Sequence, residues 1–73
     1  MYLDAIKYKR MMCVEVYNAD DKEYQYCYIT YDEKRGLLRC FDVEINVDYS
    51  RTLDDNLSCL YDTILEEHPE FIV

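Results

Sequence analysis

The chain has almost none of the residues that mark flexible or irregular segments. It contains one glycine, Gly36, and one proline, Pro69, in 73 residues. Linkers and low-complexity tracts are rich in such small or turn-forming residues, so no boundary between two modules is indicated. A chain of this length buries only about 60% of the surface that its unfolded form exposes, which is enough for one core. The sequence therefore predicts a single small acidic domain over residues 1–73.

A long apolar stretch is also missing. No run of about 18 apolar residues, the length that crosses a membrane, is present. The first residues, MYLDAIKYKRMM, include Asp4 and three basic side chains, unlike the apolar region of a secretory signal. We therefore expect no membrane partner and a cytoplasmic location, in the host cytoplasm if the protein is encoded by a phage.

Signatures of catalysis and of metal binding are scarce as well. The cysteines, Cys13, Cys27, Cys40 and Cys59, are separated by 14, 13 and 19 positions, whereas zinc-binding pairs are about two to four residues apart. His68 is the only histidine, and its place near the end of a predicted helix favours a capping role. There is no glycine-rich phosphate loop and no nucleophile elbow. We expect reduced thiols, of which Cys59, off the apolar side of the helix, is the one expected to be exposed. We expect no metal, no cofactor and no enzymatic activity.

Basic residues are lacking in the second half of the chain, where acidic residues are abundant. Through Phe41, seven acidic residues are matched by seven basic residues. From Asp42 onward, nine acidic residues face Arg51 alone, so the whole net charge of −8 arises there. This distribution predicts a strongly negative surface, which repels nucleic acid and attracts basic proteins.

The residues that are present form a pattern of strands followed by one helix. Alternating apolar side chains predict strands at 11–18, 23–31 and 37–47, and a loosely defined one at 2–9 that extends the first or stands alone. Beyond Val47 the apolar spacing becomes helical. The predicted fold class is α+β: a three- to four-stranded antiparallel sheet, connected as a meander, with one C-terminal helix at 52–67 packed on one face. The side chains predicted on the buried side of this helix are Leu53, Leu57, Leu60 and Ile64.

Tyrosine is the most unusual component, with four tyrosines in EYQYCYITY, residues 23–31. One interpretation places Tyr24, Tyr26 and Tyr28 on the open face of the sheet. The other places these rings in the core and leaves Cys27 and Ile29 outside. The first is favoured, because three tyrosines opposite a single helix would crowd a small core. The neighbours expected on the open face are Glu15, Tyr17, Asp42 and Glu44.

Carboxylates and tyrosine rings together suit contact with arginine and lysine, through charge-assisted hydrogen bonds and cation–π contacts worth about 0.5–2 kcal/mol. Duplex DNA carries one charge per ~1.7 Å of axis, a density that many carboxylates on a small body can imitate. The favoured hypothesis is a small acidic protein-binding inhibitor, a nucleic-acid charge mimic that blocks a DNA- or RNA-binding protein. In size and acidity the chain is similar in kind to phage-encoded counter-defence proteins such as anti-CRISPR and anti-restriction inhibitors.

The expected partner is thus the basic surface of a protein, with no direct binding of nucleic acid. The alternative hypothesis is a non-mimic interaction module, an antitoxin or an adaptor, that docks through the tyrosine-rich face, with a homodimer as one form. Salt separates the two, because screening weakens charge mimicry and leaves aromatic docking nearly unchanged. The candidate partner-binding residues are Glu15, Tyr17, Tyr24, Tyr26, Tyr28, Asp42, Glu44, Asp54, Asp55, Asp62, Glu66 and Glu67.

Overall fold

A computed structural model describes residues 12–72; the predicted strand at 2–9 lies outside them. The elements are β1 (Cys13–Asn18), β2 (Glu23–Tyr28), β3 (Thr30–Asp32), β4 (Leu37–Cys40), β5 (Val43–Asn46), α1 (Leu53–Glu67) and β6 (Phe71–Ile72). Within the described residues, the strands form two three-stranded antiparallel sheets, in the orders β2-β1-β6 and β3-β4-β5. The predicted α+β class, its meander of strands and its C-terminal helix are thus confirmed, with the strands divided between two sheets.

The predicted strand at 23–31 is divided at Ile29 into two strands that belong to different sheets. The first part, β2, pairs with β1, and the second part, β3, pairs with β4. Ile29 still donates its backbone N–H to the carbonyl oxygen of Met12 at 3.0 Å, and its side chain is buried. One alternating run of residues therefore serves both sheets, which is why the sequence alone indicated a single strand.

The predicted strand at 37–47 is wrong: this segment is a hairpin in which β4 and β5 pair with each other. Its tight turn consists of Phe41 and Asp42, with φ angles of 54° and 74°. Positive φ at both central residues matches the twist of the flanking strands. The turn shifts the alternation, so that Cys40 lies opposite Val43 and both are buried. Uninterrupted alternation over 37–47 would instead place Cys40 and Val43 on opposite faces.

The turn between β3 and β4 contains the one glycine of the chain. Gly36 adopts a φ of 63°, the left-handed conformation that glycine accepts readily. The carboxylate of Asp32 accepts hydrogen bonds from the N–H groups of Lys34 and Arg35. The carbonyl oxygen of Gly36 accepts a hydrogen bond from the N–H of Val47 at 2.8 Å. The glycine thus closes one hairpin and ties it to the end of the next.

Helix α1 begins and ends close to the predicted residues. The hydroxyl oxygen of Thr52 accepts a hydrogen bond from the N–H of Asp55 at 3.1 Å, which caps the first turn. His68 ends the helix by donating its backbone N–H to Ile64, and Pro69 follows. The predicted buried side is confirmed. Leu57, Leu60 and Ile64 are buried and Leu53 is half-buried.

A buried amide that the sequence pattern did not reveal holds the helix to the segment before it. Asn56 is only 4% exposed. Its side-chain oxygen accepts a hydrogen bond from the N–H of Asp48, and its side-chain nitrogen donates to the carbonyl oxygens of Asp48 and Thr52. These bonds satisfy the amide inside the protein and fix the path of the chain from β5 into α1.

Candidate functional site

The three tyrosines of β2 stand in solvent. Tyr24 is 73% exposed, Tyr26 67% and Tyr28 48%. Between them, Gln25 and Cys27 are half-buried on the other side of the strand. The interpretation that places the rings on the open face is therefore confirmed, and the alternative that places them in the core is wrong.

Strand β1 supplies the neighbours of these rings. In the antiparallel register, Tyr17 lies opposite Tyr24 and Glu15 lies opposite Tyr26. The rings of Tyr17 and Tyr24 meet edge to face, with centroids 5.1 Å apart, and those of Tyr26 and Tyr28 do the same at 6.4 Å. These five residues form a continuous surface, which we call the tyrosine face. The contact between Tyr17 and Tyr24 crosses from β1 to β2 and stabilises the sheet, the contact between Tyr26 and Tyr28 lies along β2, and the exposed rings remain available for a partner.

Asp42 and Glu44, predicted beside all three tyrosines, adjoin only one of them. They belong to the β4–β5 hairpin of the other sheet, and together with Tyr28 they line a shallow depression of about 210 Å³. Tyr24 and Tyr26 do not line it. Glu44 also forms an ion pair with Arg39, with 2.7 Å between Oε1 and Nε. The division into two sheets, invisible in the alternating pattern, separates these carboxylates from the outer end of the tyrosine face.

The structure brings two carboxylates of the β4–β5 hairpin together with one from the helix. Asp42, Glu44 and Glu67 line a depression of about 290 Å³, with His68 beside them. We call these three carboxylates and this imidazole the acidic cleft. Helical spacing of the apolar residues alone would place Glu67 with the other helix carboxylates on the outer side of α1, but Glu67 lines this depression with two carboxylates of the β4–β5 hairpin.

His68 connects three segments of the chain. Its Nε2 is 2.9 Å from Oδ1 of Asp42, its Nδ1 is 3.1 Å from Oε1 of Glu70, and its ring stacks on Phe71 with centroids 4.6 Å apart. The hydrogen bond to Asp42 is the main reason why the pKa of His68 is raised above its usual value, and Glu70 adds to the effect. Both contacts are hydrogen bonds at once only when both ring nitrogens carry a proton, so the geometry suits the imidazolium form.

The remaining helix carboxylates form a row on the exposed side of α1. Asp55, Asp62 and Glu66 are seven and four positions apart, which is about two turns and one turn of helix. Asp54 flanks the start of the row. Arg51 forms an ion pair with Asp55, with 3.8 Å between Nε of Arg51 and Oδ2 of Asp55. We call Asp54, Asp55, Asp62 and Glu66 the outer acidic row.

The cysteines show no arrangement that suggests chemistry. Cys59 is exposed as predicted, and Cys13 is exposed as well. Burial raises the pKa of the Cys40 thiol to about 12, with nearby Cys27 adding to the shift, so this thiol stays protonated. Among the described residues, no group of three or more histidine, cysteine or carboxylate side chains is arranged to hold a metal ion.

Two further observations complete the description. Over residues 12–72, no helix has both the length and the apolar character needed to cross a membrane. Comparison of the chain with protein families, with curated proteins and with solved structures finds no match.

Proposed function

We propose that this chain is a small acidic inhibitor that binds the basic surface of a nucleic-acid-binding protein and imitates nucleic-acid charge. The observation that carries the proposal is the row of carboxylates along the exposed side of α1, with no basic residue between Asp54 and Glu67. Anti-restriction and anti-CRISPR inhibitors are the kind of protein expected. The proposal assigns the chain no catalytic role and no cofactor.

The spacing of the helix carboxylates supports this proposal. Asp54 and Glu67 are 13 residues apart, which is about 20 Å along the axis at ~1.5 Å per residue. With Asp55, Asp62 and Glu66, five carboxylates divide this length into four intervals, with a mean of about 5 Å along the axis. A single strand of DNA carries one phosphate per ~3.4 Å of helix axis. A protein groove lined with arginine and lysine to hold phosphates therefore meets carboxylates at a linear density of the same order.

The acidic cleft extends this negative surface around the end of the helix. Glu67 contributes to the cleft and adjoins the last carboxylate of the outer row, Glu66. Among the carboxylates of the cleft and the row, the described ion pairs to arginine involve Glu44 and Asp55. Exposed pairs of this kind contribute little to stability, so a basic partner can compete for both carboxylates.

The proposal is tested by neutralising the outer acidic row. We would combine Asp54→Asn, Asp62→Asn and Glu66→Gln in one variant, and compare it with a control of equal charge change in the β1–β2 turn and at the first residue of β2. The wild-type protein, immobilised on a matrix, should capture nucleic-acid-binding proteins from a cell lysate, and added duplex DNA or salt should release them. The row variant should lose this capture. The control combines Asp20→Asn, Asp21→Asn and Glu23→Gln and should retain it.

The proposal would be contradicted if the row variant captured the same partner as well as wild type does at every salt concentration. Salt dependence adds an independent criterion, because screening of exposed charges weakens the binding of a mimic steeply as ionic strength rises.

The tyrosine face supports a second candidate function, an interaction module that docks by aromatic burial. The packing of the sheet leaves much of the surface of Tyr24, Tyr26 and Tyr28 exposed. Tyrosine is a preferred anchor at protein interfaces. A variant with all three changed to serine should stay folded, because none of these rings belongs to the core. Loss of a partner in this variant alone, with little response to salt, would favour this function over charge mimicry.

A further inference from the structure

Strand β2 lies at the edge of its sheet, and no strand among residues 12–72 pairs with its outer side. The N–H of Ile29 donates to Met12 on β1, so position 29 belongs to a hydrogen-bonded pair. Along an antiparallel strand, hydrogen-bonded and non-hydrogen-bonded pairs alternate. The N–H and C=O groups of Tyr24, Tyr26 and Tyr28 therefore point away from β1, toward the open edge.

The residues of β2 itself include none of those that usually keep an edge strand from pairing. Soluble proteins protect such edges with lysine, proline, a bulge or a covering segment. The six residues of β2, EYQYCY, contain no lysine and no proline, and Glu23 at the first position is their only charge. At alternate positions the strand presents three outward pairs of donor and acceptor next to exposed aromatic rings; the carbonyl oxygen of Tyr28 is also 3.6 Å from Sγ of Cys27.

We infer that β2 pairs with β2 of a second copy of this chain, antiparallel, about a two-fold axis through Tyr26. In this register Tyr26 lies opposite Tyr26 of the second copy, and Tyr24 lies opposite Tyr28. All three are positions whose backbone groups point outward, so each pair exchanges two hydrogen bonds. The two three-stranded sheets join into one six-stranded sheet.

The sequence of β2 favours this register over registers shifted by one or two residues. Residues directly opposite in an antiparallel pair share one face of the sheet. A shift by one residue would place the tyrosines of one copy opposite the core-facing side chains of the other. A shift by two would leave a tyrosine of each copy without a tyrosine opposite it. The register through Tyr26 sets all six rings on one open face and places Glu23 opposite Ile29, not opposite another carboxylate.

The inference does not rest on the proposed function, since it uses no residue of the outer acidic row. A pair of six-residue strands with rings on one face is smaller than a stable interface, which buries about 1,200–2,000 Å². We therefore expect a reversible dimer that dissociates on dilution.

The first test measures mass against concentration. Sedimentation equilibrium of wild type should show a mass that rises from 8.9 kDa toward twice that value. Tyr26→Lys should shift the midpoint to at least tenfold higher concentration, because two ammonium groups then meet at the axis. Within one copy, the new lysine faces Glu15, so the fold is preserved. Tyr61→Lys, at an exposed tyrosine of the helix, serves as the control and should dimerise like wild type.

The second test reports on the register. In a Cys13→Ser, Cys59→Ser background, Tyr26→Cys places two thiols at the axis. Their Cα atoms would be about 5.5 Å apart, within the range that a disulfide spans. Oxidised glutathione should cross-link this variant rapidly, while Tyr24→Cys, which faces Tyr28 of the other copy, should remain largely uncrosslinked. A mass of one chain at every concentration, a dimer unaffected by Tyr26→Lys, or equal cross-linking of the two cysteine variants would overturn the inference.

Discussion

At the scale of single residues, His68 shows how a local signal differs from the role it acquires in the fold. Its place before Pro69 predicted a helix terminus, and its backbone N–H does end α1. Its side chain reaches Asp42, which is 26 positions away, and Glu70, which is two away. Only the fold brings Asp42 to this position, so no local pattern could have indicated the contact. The result is a charged bridge between the β4–β5 turn and the segment that leads into β6.

This bridge predicts a specific pH dependence of stability. The pKa of His68 is raised in the folded protein, mainly by its hydrogen bond to Asp42. In the unfolded chain, a histidine side chain has a pKa of about 6.5. The contribution of His68 to the free energy of unfolding is thus fully present below pH ~6.5 and is lost as pH rises through the higher folded pKa. Urea denaturation of wild type and His68→Gln at several pH values should show the largest difference in acid and a smaller one in alkali.

Subtracting the pH profile of His68→Gln from that of wild type removes the part of the pH dependence that comes from carboxylates that do not contact His68. Asp42→Asn is the matched variant, because it removes the stronger of the two contacts and keeps the imidazole. It should reduce the pH-dependent difference without abolishing it, since Glu70 remains. A difference between wild type and His68→Gln that grows with rising pH would contradict the assignment.

At the scale of elements, the sequence predicts those features that depend on neighbours along the chain. Alternation places Tyr24, Tyr26 and Tyr28 on one face, and the limited space in a small core favours the outward position for that face. The helix follows from its apolar period and the cap at Thr52. The β4–β5 hairpin was missed because its turn, Phe41 and Asp42, contains neither glycine nor asparagine. Two non-glycine residues at positive φ carry no sequence signal of a turn.

The same distinction applies to the candidate site. Membership of the tyrosine face could be predicted, since Glu15 and Tyr17 alternate with core residues on β1. The acidic cleft could not be predicted, because it joins Asp42 and Glu44 of one hairpin to Glu67 at the end of the helix. Contacts between elements distant in sequence depend on the sheet order, and periodicity contains no information on that order.

The one glycine provides a test at this scale. Gly36→Ala should lower the free energy of unfolding by about 1–2 kcal/mol, the cost of the left-handed conformation for a residue with a Cβ atom. The native φ is +63°, and the added Cβ would lie 3.2 Å from the hydroxyl oxygen of Tyr49, which must then move. Urea denaturation measures the loss. Lys34→Ala in the same turn is the control and should change stability little, and an equal loss in both variants would contradict the argument.

At the scale of the whole molecule, the placement of charge does not follow what stability alone would favour. The N-terminal end of a helix favours negative charge, and the C-terminal end favours positive charge. Asp54 and Asp55 in the first turn of α1 therefore stabilise it, but the last turn contains Glu66 and Glu67 and no basic residue. An acidic surface that extends over the unfavourable end of the helix suits a role in binding better than a role in folding, as the proposed function requires.

The stability of helix-end variants tests this reasoning without any partner. Glu66→Gln and Glu67→Gln should each raise the free energy of unfolding by about 0.3–1 kcal/mol at low ionic strength, because each removes a negative charge near the negative end of the helix. Asp54→Asn and Asp55→Asn are the matched controls at the other end and should lower it. Urea denaturation at low and high salt measures both effects, which should diminish as salt screens them. If the glutamine variants are less stable than wild type, the two carboxylates contribute to folding, and their position then gives no support to a binding role. If they are more stable, the acidic end of the helix is retained at the expense of stability, as expected for a surface that contacts a basic partner.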